Sequence, residues 1–167
     1  MKNKKCIAVA GSHGKTTTTS LVGNILESGK LDPTIVNGGI INSLSKNNKF
    51  GKGKWRVVEA DESDGSFLKL PHEISIITNL DIEHLDYYKT PKKLHSYLEK
   101  FIMNLPFYGT SMVNEDDKHL KKIIQKNDTR RIIHFSSKNK KSNVFVDKIH
   151  FDNQYSYFTL NFNFSDK

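Results

Sequence analysis

The segment Cys6-Ile7-Ala8-Val9-Ala10-Gly11-Ser12-His13-Gly14-Lys15-Thr16-Thr17-Thr18-Thr19 turns abruptly from an apolar run into a glycine loop that ends in Lys-Thr. The apolar run reads as a buried parallel strand. Residues 16–28 then carry Leu21, Val22, Ile25 and Leu26 at helical spacing, with Gly29 as a natural stop. Strand, glycine loop and helix in this order make a phosphate cradle, because loop N–H groups and the positive helix end converge on an anion. Lys15 is placed to reach outer phosphates and Thr16 to offer its hydroxyl to Mg²⁺. The spacing is the short Gly-x-x-Gly-Lys-Thr form, since the first glycine of the common eight-residue pattern would fall at Val9. Gly11, Ser12, His13, Gly14, Lys15, Thr16 and Thr17 are the expected nucleotide-binding residues.

Outward from this loop, strands alternate with helical segments. Residues 55–60 and 73–78 read as short buried strands, and 90–104 as a helix with Thr90 as N-cap and Pro91 at its first position. A strand at 111–114, a helix at 116–126 opened by acidic residues at its positive end, and a strand at 131–135 follow. Such alternation specifies an α/β fold: a mostly parallel sheet of the P-loop type, flanked by helices. From Asn143 the pattern changes. Val144-Phe145-Val146 and residues 155–164 alternate or run apolar around Asp152-Asn153, which predicts a C-terminal antiparallel β ribbon with Tyr155 and Tyr157 on a face packed against a core.

Composition narrows the function. The 167 residues suit one domain, and Cys6 is the only cysteine, so neither an intramolecular disulfide nor a cysteine metal cluster can form. Cys6 is expected to act as a small buried hydrophobe. The apolar run after the basic start is too short for a signal core or a membrane span, which points to a cytoplasmic protein without a membrane partner. The net charge of +8 invites a nucleic-acid reading, but arginine is confined to Arg56, Arg130 and Arg131. Lys138, Lys140 and Lys141 read as a solvated loop, so no nucleic-acid partner is expected.

Two further clusters bear on the chemistry. In Val57-Val58-Glu59-Ala60-Asp61-Glu62-Ser63-Asp64-Gly65 a buried strand delivers four carboxylates into a turn, at the end of a sheet strand where ligands of open parallel sheets bind. Glu59, at the tip of an apolar strand, needs a partner, and a metal ion beside Thr16 supplies one. Asp61, Glu62 and Asp64 read equally well as an acidic helix start. In Thr78-Asn79-Leu80-Asp81-Ile82-Glu83-His84-Leu85-Asp86 a second buried strand runs out, and His84 is a candidate metal ligand. His72, His95, His119, His134 and His150 are expected as surface or internally satisfied residues.

Together these segments, with Leu31-Asp32-Pro33-Thr34, Asn37-Gly38-Gly39-Ile40-Ile41-Asn42 and Ser66-Phe67, resemble the ATP-binding central domain of the Mur ligases, most closely the branch that joins L-alanine to UDP-N-acetylmuramate. The resemblance implies an ATP-dependent ligation in peptidoglycan synthesis, in which the muramate carboxylate becomes an acyl phosphate that the alanine amine attacks. It implies Lys15, Glu59 and His84 as catalytic residues, Thr16 and Glu59 on the nucleotide-side Mg²⁺, His84 with Glu59 on a second Mg²⁺ near the acceptor carboxylate, and Gly38, Gly39 and Asn79 facing substrate. Ser12 stands where the family usually has threonine, and Ile82-Glu83 where it has proline and aspartate. The resemblance covers only a central domain, residues 1–167. The expected UDP-binding and amino-acid-binding domains are not in this sequence, so separate chains supplying them are possible partners and the piece is expected to have little ligase activity alone. A generic P-loop ATP-binding module or ATPase and the related peptide-recycling muramate ligase are the alternatives.

Overall fold

In the computed structural model, the described residues are 4–38, 48–82, 85–125 and 131–164. β1 (Lys5–Ala10) leads through the glycine loop into α1 (Lys15–Ser28), followed by β2 (Thr34–Val36) and β3 (Trp55–Glu59). A 3₁₀ turn at Ser66–Lys69 precedes β4 (Ile74–Ile77), α2 (Leu85–Tyr88) and α3 (Pro91–Met103). β5 (Thr110–Asn114), α4 (Lys118–Ile124), β6 (Arg131–Ser136), β7 (Val144–Phe151) and β8 (Ser156–Phe162) complete the order.

The strands form one sheet in the order β2-β3-β1-β4-β5-β6-β7-β8. All neighbours are parallel except β7 and β8, so the expected mostly parallel sheet and its antiparallel ribbon are both present. β1 is the switch strand. It pairs with β3 on one side and β4 on the other, although both lie later in the chain, and the loop after it opens where the two connections diverge.

Successive β1 residues feed two cores, as strand geometry requires. Cys6, Ala8 and Ala10 join Val58, Phe67, Tyr88, Leu94, Leu98, Phe101, Leu120 and Ile123 under α2, α3 and α4. Ile7 and Val9 join Val57 on the other face, where Val22 and Leu26 of α1 pack. Leu21 and Ile25, at apolar helical spacing in the sequence, are instead exposed, while Thr19 and Gly23 are the buried residues of α1. The reason is contact distance: a Cβ on Gly23 would stand 2.4 Å from Ile35 of β2, so the helix lies close to the sheet along its small residues.

α3 starts as its sequence predicts, with Thr90 accepting from Lys93 N–H and Pro91 at the first position. In α4, Asp117 is the cap, accepting from the N–H groups of His119 and Leu120 at 2.8 and 2.9 Å. Asp116 turns away to take the hydroxyls of Ser136 and Ser137 and the Ser137 N–H. Burial raises its carboxyl pKa, but these donors outweigh that and hold it below the ordinary value. Cys6 is fully buried, which pushes its thiol up to about 11 and leaves it a hydrophobe, as expected.

The ribbon departs from expectation in one respect. Tyr155, Tyr157, Phe158, Leu160, Phe162 and Phe164 are all 47–62% exposed rather than packed on a core. Only Phe135↔Val144 and Ser136↔Phe145 join β7 to β6, so most of the ribbon extends beyond the helices that cover the sheet.

Candidate nucleotide-phosphate site

The loop between β1 and α1 is bent by two glycines with positive φ. Gly11 sits at φ 133°, where a Cβ would lie 2.2 Å from Thr78 Oγ1, and Gly14 at φ 77° is the N-cap of α1. Thr18 N–H donates back to Gly14 O at 3.0 Å and begins the helical ladder. The N–H groups of residues 15–17 therefore have no carbonyl within the helix to receive them, and they carry the positive end of α1. Gly14 brings no side chain to cap them.

Residues after β4 brace this loop. Asn79 accepts the His13 N–H through Oδ1 at 2.8 Å and donates through Nδ2 to His13 O at 2.9 Å. Its carbonyl accepts Ser12 N–H at 3.2 Å, and Thr78 Oγ1 donates to His13 O at 2.8 Å. The Ser12 hydroxyl accepts Asp81 N–H at 2.8 Å, and the His13 ring meets the Asp81 carboxylate at 2.8 Å on an open rim. Both ends of the Asn79 side chain are thus engaged by the loop, which makes Asn79 a strut for it. Sequence reasoning placed Asn79 toward substrate and did not find the strut, because the partner lies 66 residues away.

Lys15 and Thr16 meet the carboxylates that follow β3. Lys15 Nζ donates to Gly11 O at 2.8 Å and Ser12 O at 3.3 Å, and lies 3.0 Å from each Glu62 carboxylate oxygen. The Thr16 hydroxyl is 3.2 and 3.0 Å from the two oxygens of Glu59, and Gly38 N–H donates to Glu59 Oε2 at 3.0 Å. Glu59 is only 8% exposed, and among the described residues both its donors are neutral. Of the four carboxylates expected here, Glu59 and Glu62 face the loop. Asp61 and Asp64 turn back to accept the N–H groups of Ser63 and Ser66, and the Ser66 hydroxyl, together with that N–H, holds Asp64 below the ordinary carboxylate value. Gly39 and His84 lie outside the described residues.

A buried carboxylate beside a hydroxyl is a set of hard oxygen donors that fits Mg²⁺. No group of three or more His, Cys, Asp or Glu that could hold a metal occurs among the described residues.

A central β1, a glycine loop at the switch point, and Lys15, Thr16 and Glu59 gathered at its rim define the class: an α/β protein of the P-loop nucleotide-binding type. The chain belongs to the Mur ligase family, whose middle-domain model matches residues 9–166. It is 52% identical over 133 residues to UDP-N-acetylmuramate–L-alanine ligase of Azorhizobium caulinodans, covering 80% of this chain and 28% of that protein. The ligase of the same name from Methylocella silvestris is 50% identical over the same shares. The chain therefore spans 28% of the length of these relatives. Among solved structures, the alanine ligase MurC of Thermotoga maritima superposes with a TM-score of 0.77 at 28% identity, covering 96% of this chain and 35% of that one. MurF of Acinetobacter baumannii, at 22% identity and a TM-score of 0.76 over 96% of this chain and 37% of that one, shares the fold.

Proposed function

We propose that this chain is the ATP- and Mg²⁺-binding core of a ligase that joins L-alanine to the carboxylate of UDP-N-acetylmuramate in peptidoglycan synthesis. The observation that carries the reading is the convergence of Lys15, Thr16 and Glu59 on the open N-terminus of α1. The residues 15–17 amides and Lys15 would bind the β- and γ-phosphates and offset the charge that builds on the transferring phosphoryl group. Thr16 and Glu59 would hold the nucleotide-side Mg²⁺, and His84 with Glu59 a second one near the acceptor carboxylate. When bound, the ions would offset the repulsion between the triphosphate and that carboxylate.

A carboxylate oxygen of the muramate would attack the γ-phosphorus and expel ADP, and the alanine nitrogen would then attack the acyl carbon and expel phosphate. Gly11, Ser12, His13, Gly14 and Thr17 are proposed to shape the nucleotide site, and Gly38 with Gly39 to border the substrate. Domains that bind the UDP moiety and the amino acid, in this or separate chains, would complete the enzyme. The similarity to ligases named for UDP-N-acetylmuramate and L-alanine supports the choice of branch. Among the described residues no helix is long and apolar enough to cross a membrane, and a cytoplasmic location is part of the proposal.

Calorimetric titration with a non-hydrolysable ATP analogue tests it. Magnesium-dependent binding by the chain and its loss in Lys15→Ala are expected. Absence of binding by the unaltered chain overturns the nucleotide assignment, and alanine-dependent ADP release by the chain alone overturns the need for further domains.

A further inference from the structure

Lys15 has three N–H donors, and among the described residues three partners take them: Gly11 O, Ser12 O and the Glu62 carboxylate. A phosphate that is to receive a hydrogen bond from Lys15 must displace one of these. The two carbonyls belong to the same short loop as the lysine and travel with it. Glu62 comes from the far side of the crevice, 47 residues away, and is an anion. A second anion brought to the same ammonium repels the first, so Glu62 is the partner that a phosphate disfavours.

The Glu62 main chain is held independently of the phosphate loop. Tyr88, fully buried, donates its hydroxyl to Glu62 O, and Gly65 N–H reaches the same carbonyl at 3.3 Å. The main chain is tied while the carboxylate sits at the end of a side chain with three rotatable bonds. The Glu62 and Lys15 side chains are 6% and 14% exposed, so water screens the pair weakly.

We propose that Glu62 is a counter-ion to the phosphate-loop lysine, one that holds the ammonium back in the loop and yields it to an incoming phosphate, so that Glu62 sets nucleotide affinity. It is a positioning residue acting through Lys15, and this inference rests on the nucleotide-binding reading above. The role differs from that of Glu59, whose carboxylate meets Thr16 rather than the lysine.

The test is calorimetric titration of the chain with ADP, with and without Mg²⁺, in the unaltered protein, Glu62→Gln and Glu62→Asp. Glu62→Gln is expected to bind about tenfold tighter in both conditions, as follows from releasing one charge-assisted hydrogen bond, with Glu62→Asp between the two. In parallel, acetylation of Lys15 followed by mass spectrometry is expected to run faster in Glu62→Gln, a readout that general destabilisation would spread over all lysines. Equal or weaker ADP binding by both variants with unchanged melting overturns the proposal. Weakening confined to the Mg²⁺ titration also overturns it and makes Glu62 a metal ligand. If the unaltered chain and both variants bind no ADP, the nucleotide-binding reading fails and this inference with it.

Discussion

The carboxamide of Asn79 closes on the backbone of His13 from both sides, accepting its N–H at 2.8 Å and donating to its carbonyl at 2.9 Å. A side chain here does what a neighbouring strand does for a peptide unit. The loop that carries Lys15 is thereby fastened to the end of β4, and its shape before ligand arrives comes from this clip.

Asn79→Ala should therefore weaken nucleotide binding while leaving the chain folded. Two hydrogen bonds of about 1 kcal/mol each are lost, and about a tenfold rise in Kd with a melting shift of only a few degrees is expected by calorimetry and thermal denaturation. An unchanged Kd would show that the loop holds its shape without the clip.

The two loop glycines should respond differently to alanine. At Gly11 the new methyl would meet Thr78 Oγ1 at 2.2 Å and the Asn79 carbonyl at 2.8 Å, on top of a φ of 133°. At Gly14 nothing lies within 4 Å, and only the left-handed backbone at φ 77° is strained. Gly14→Ala should cost about 1 kcal/mol and Gly11→Ala about 3 kcal/mol or more, measured by urea denaturation. The reverse order would contradict the packing described for this loop.

Magnesium should strengthen ADP binding, and Thr16→Val or Glu59→Gln should abolish that gain while leaving metal-free binding within about threefold, since the first removes an oxygen ligand and the second the carboxylate charge. Titrations in magnesium and in a chelator distinguish this from a loss of the phosphate cradle, which would weaken both.

Acid should destabilise the chain through His72. This ring is 3% exposed, stacks on Phe101 with centroids 4.2 Å apart, and meets Leu70 O through Nδ1 at 2.8 Å. Burial lowers its pKa below the ordinary 6.5, outweighing its hydrogen bonds. As pH falls through about 6.5, the unfolded chain takes up a proton that the native ring resists, so stability drops with falling pH until the native pKa is passed. His72→Leu should flatten that part of the curve of unfolding free energy against pH. An identical slope in the variant would place the effect elsewhere.

Core and ribbon aromatics should differ sharply. Phe101, fully buried between Phe67 and His72, should cost about 3–5 kcal/mol when changed to Ala. Phe162, 62% exposed, should cost about 1 kcal/mol or less. Equal losses would mean that the ribbon carries a core of its own.

Much of this was legible because local chemistry determines it. Gly11, Gly14, Lys15 and Thr16 announce the loop, and Thr90-Pro91 announces α3, since cap and turn preferences act within a few residues. The ribbon's pairing was readable from alternation, but its exposure was not. Period two tells which residues share a face and says nothing of what covers it. Leu21 and Ile25 misled for a similar reason, as the side of α1 nearest the sheet is chosen by how closely Gly23 can approach Ile35. The three residues of β2 were too short to signal. The partnerships Lys15 with Glu62 and Asn79 with His13 span 47 and 66 residues and exist only once β3, β1 and β4 lie side by side.

The pairing of Val9 with Glu59 in the ladder between β1 and β3 has a consequence for how the chain folds. Both faces of these strands are buried, and Val57 and Val58 are as apolar as each other, so a slip of one residue would satisfy hydrophobicity almost as well. The same slip would drive the Glu59 carboxylate away from Thr16 and Gly38 into an apolar layer without donors, a cost of several kcal/mol. The register of β3 against β1 is thus specified by the Glu59 carboxylate, at a point where valines alone would leave it degenerate.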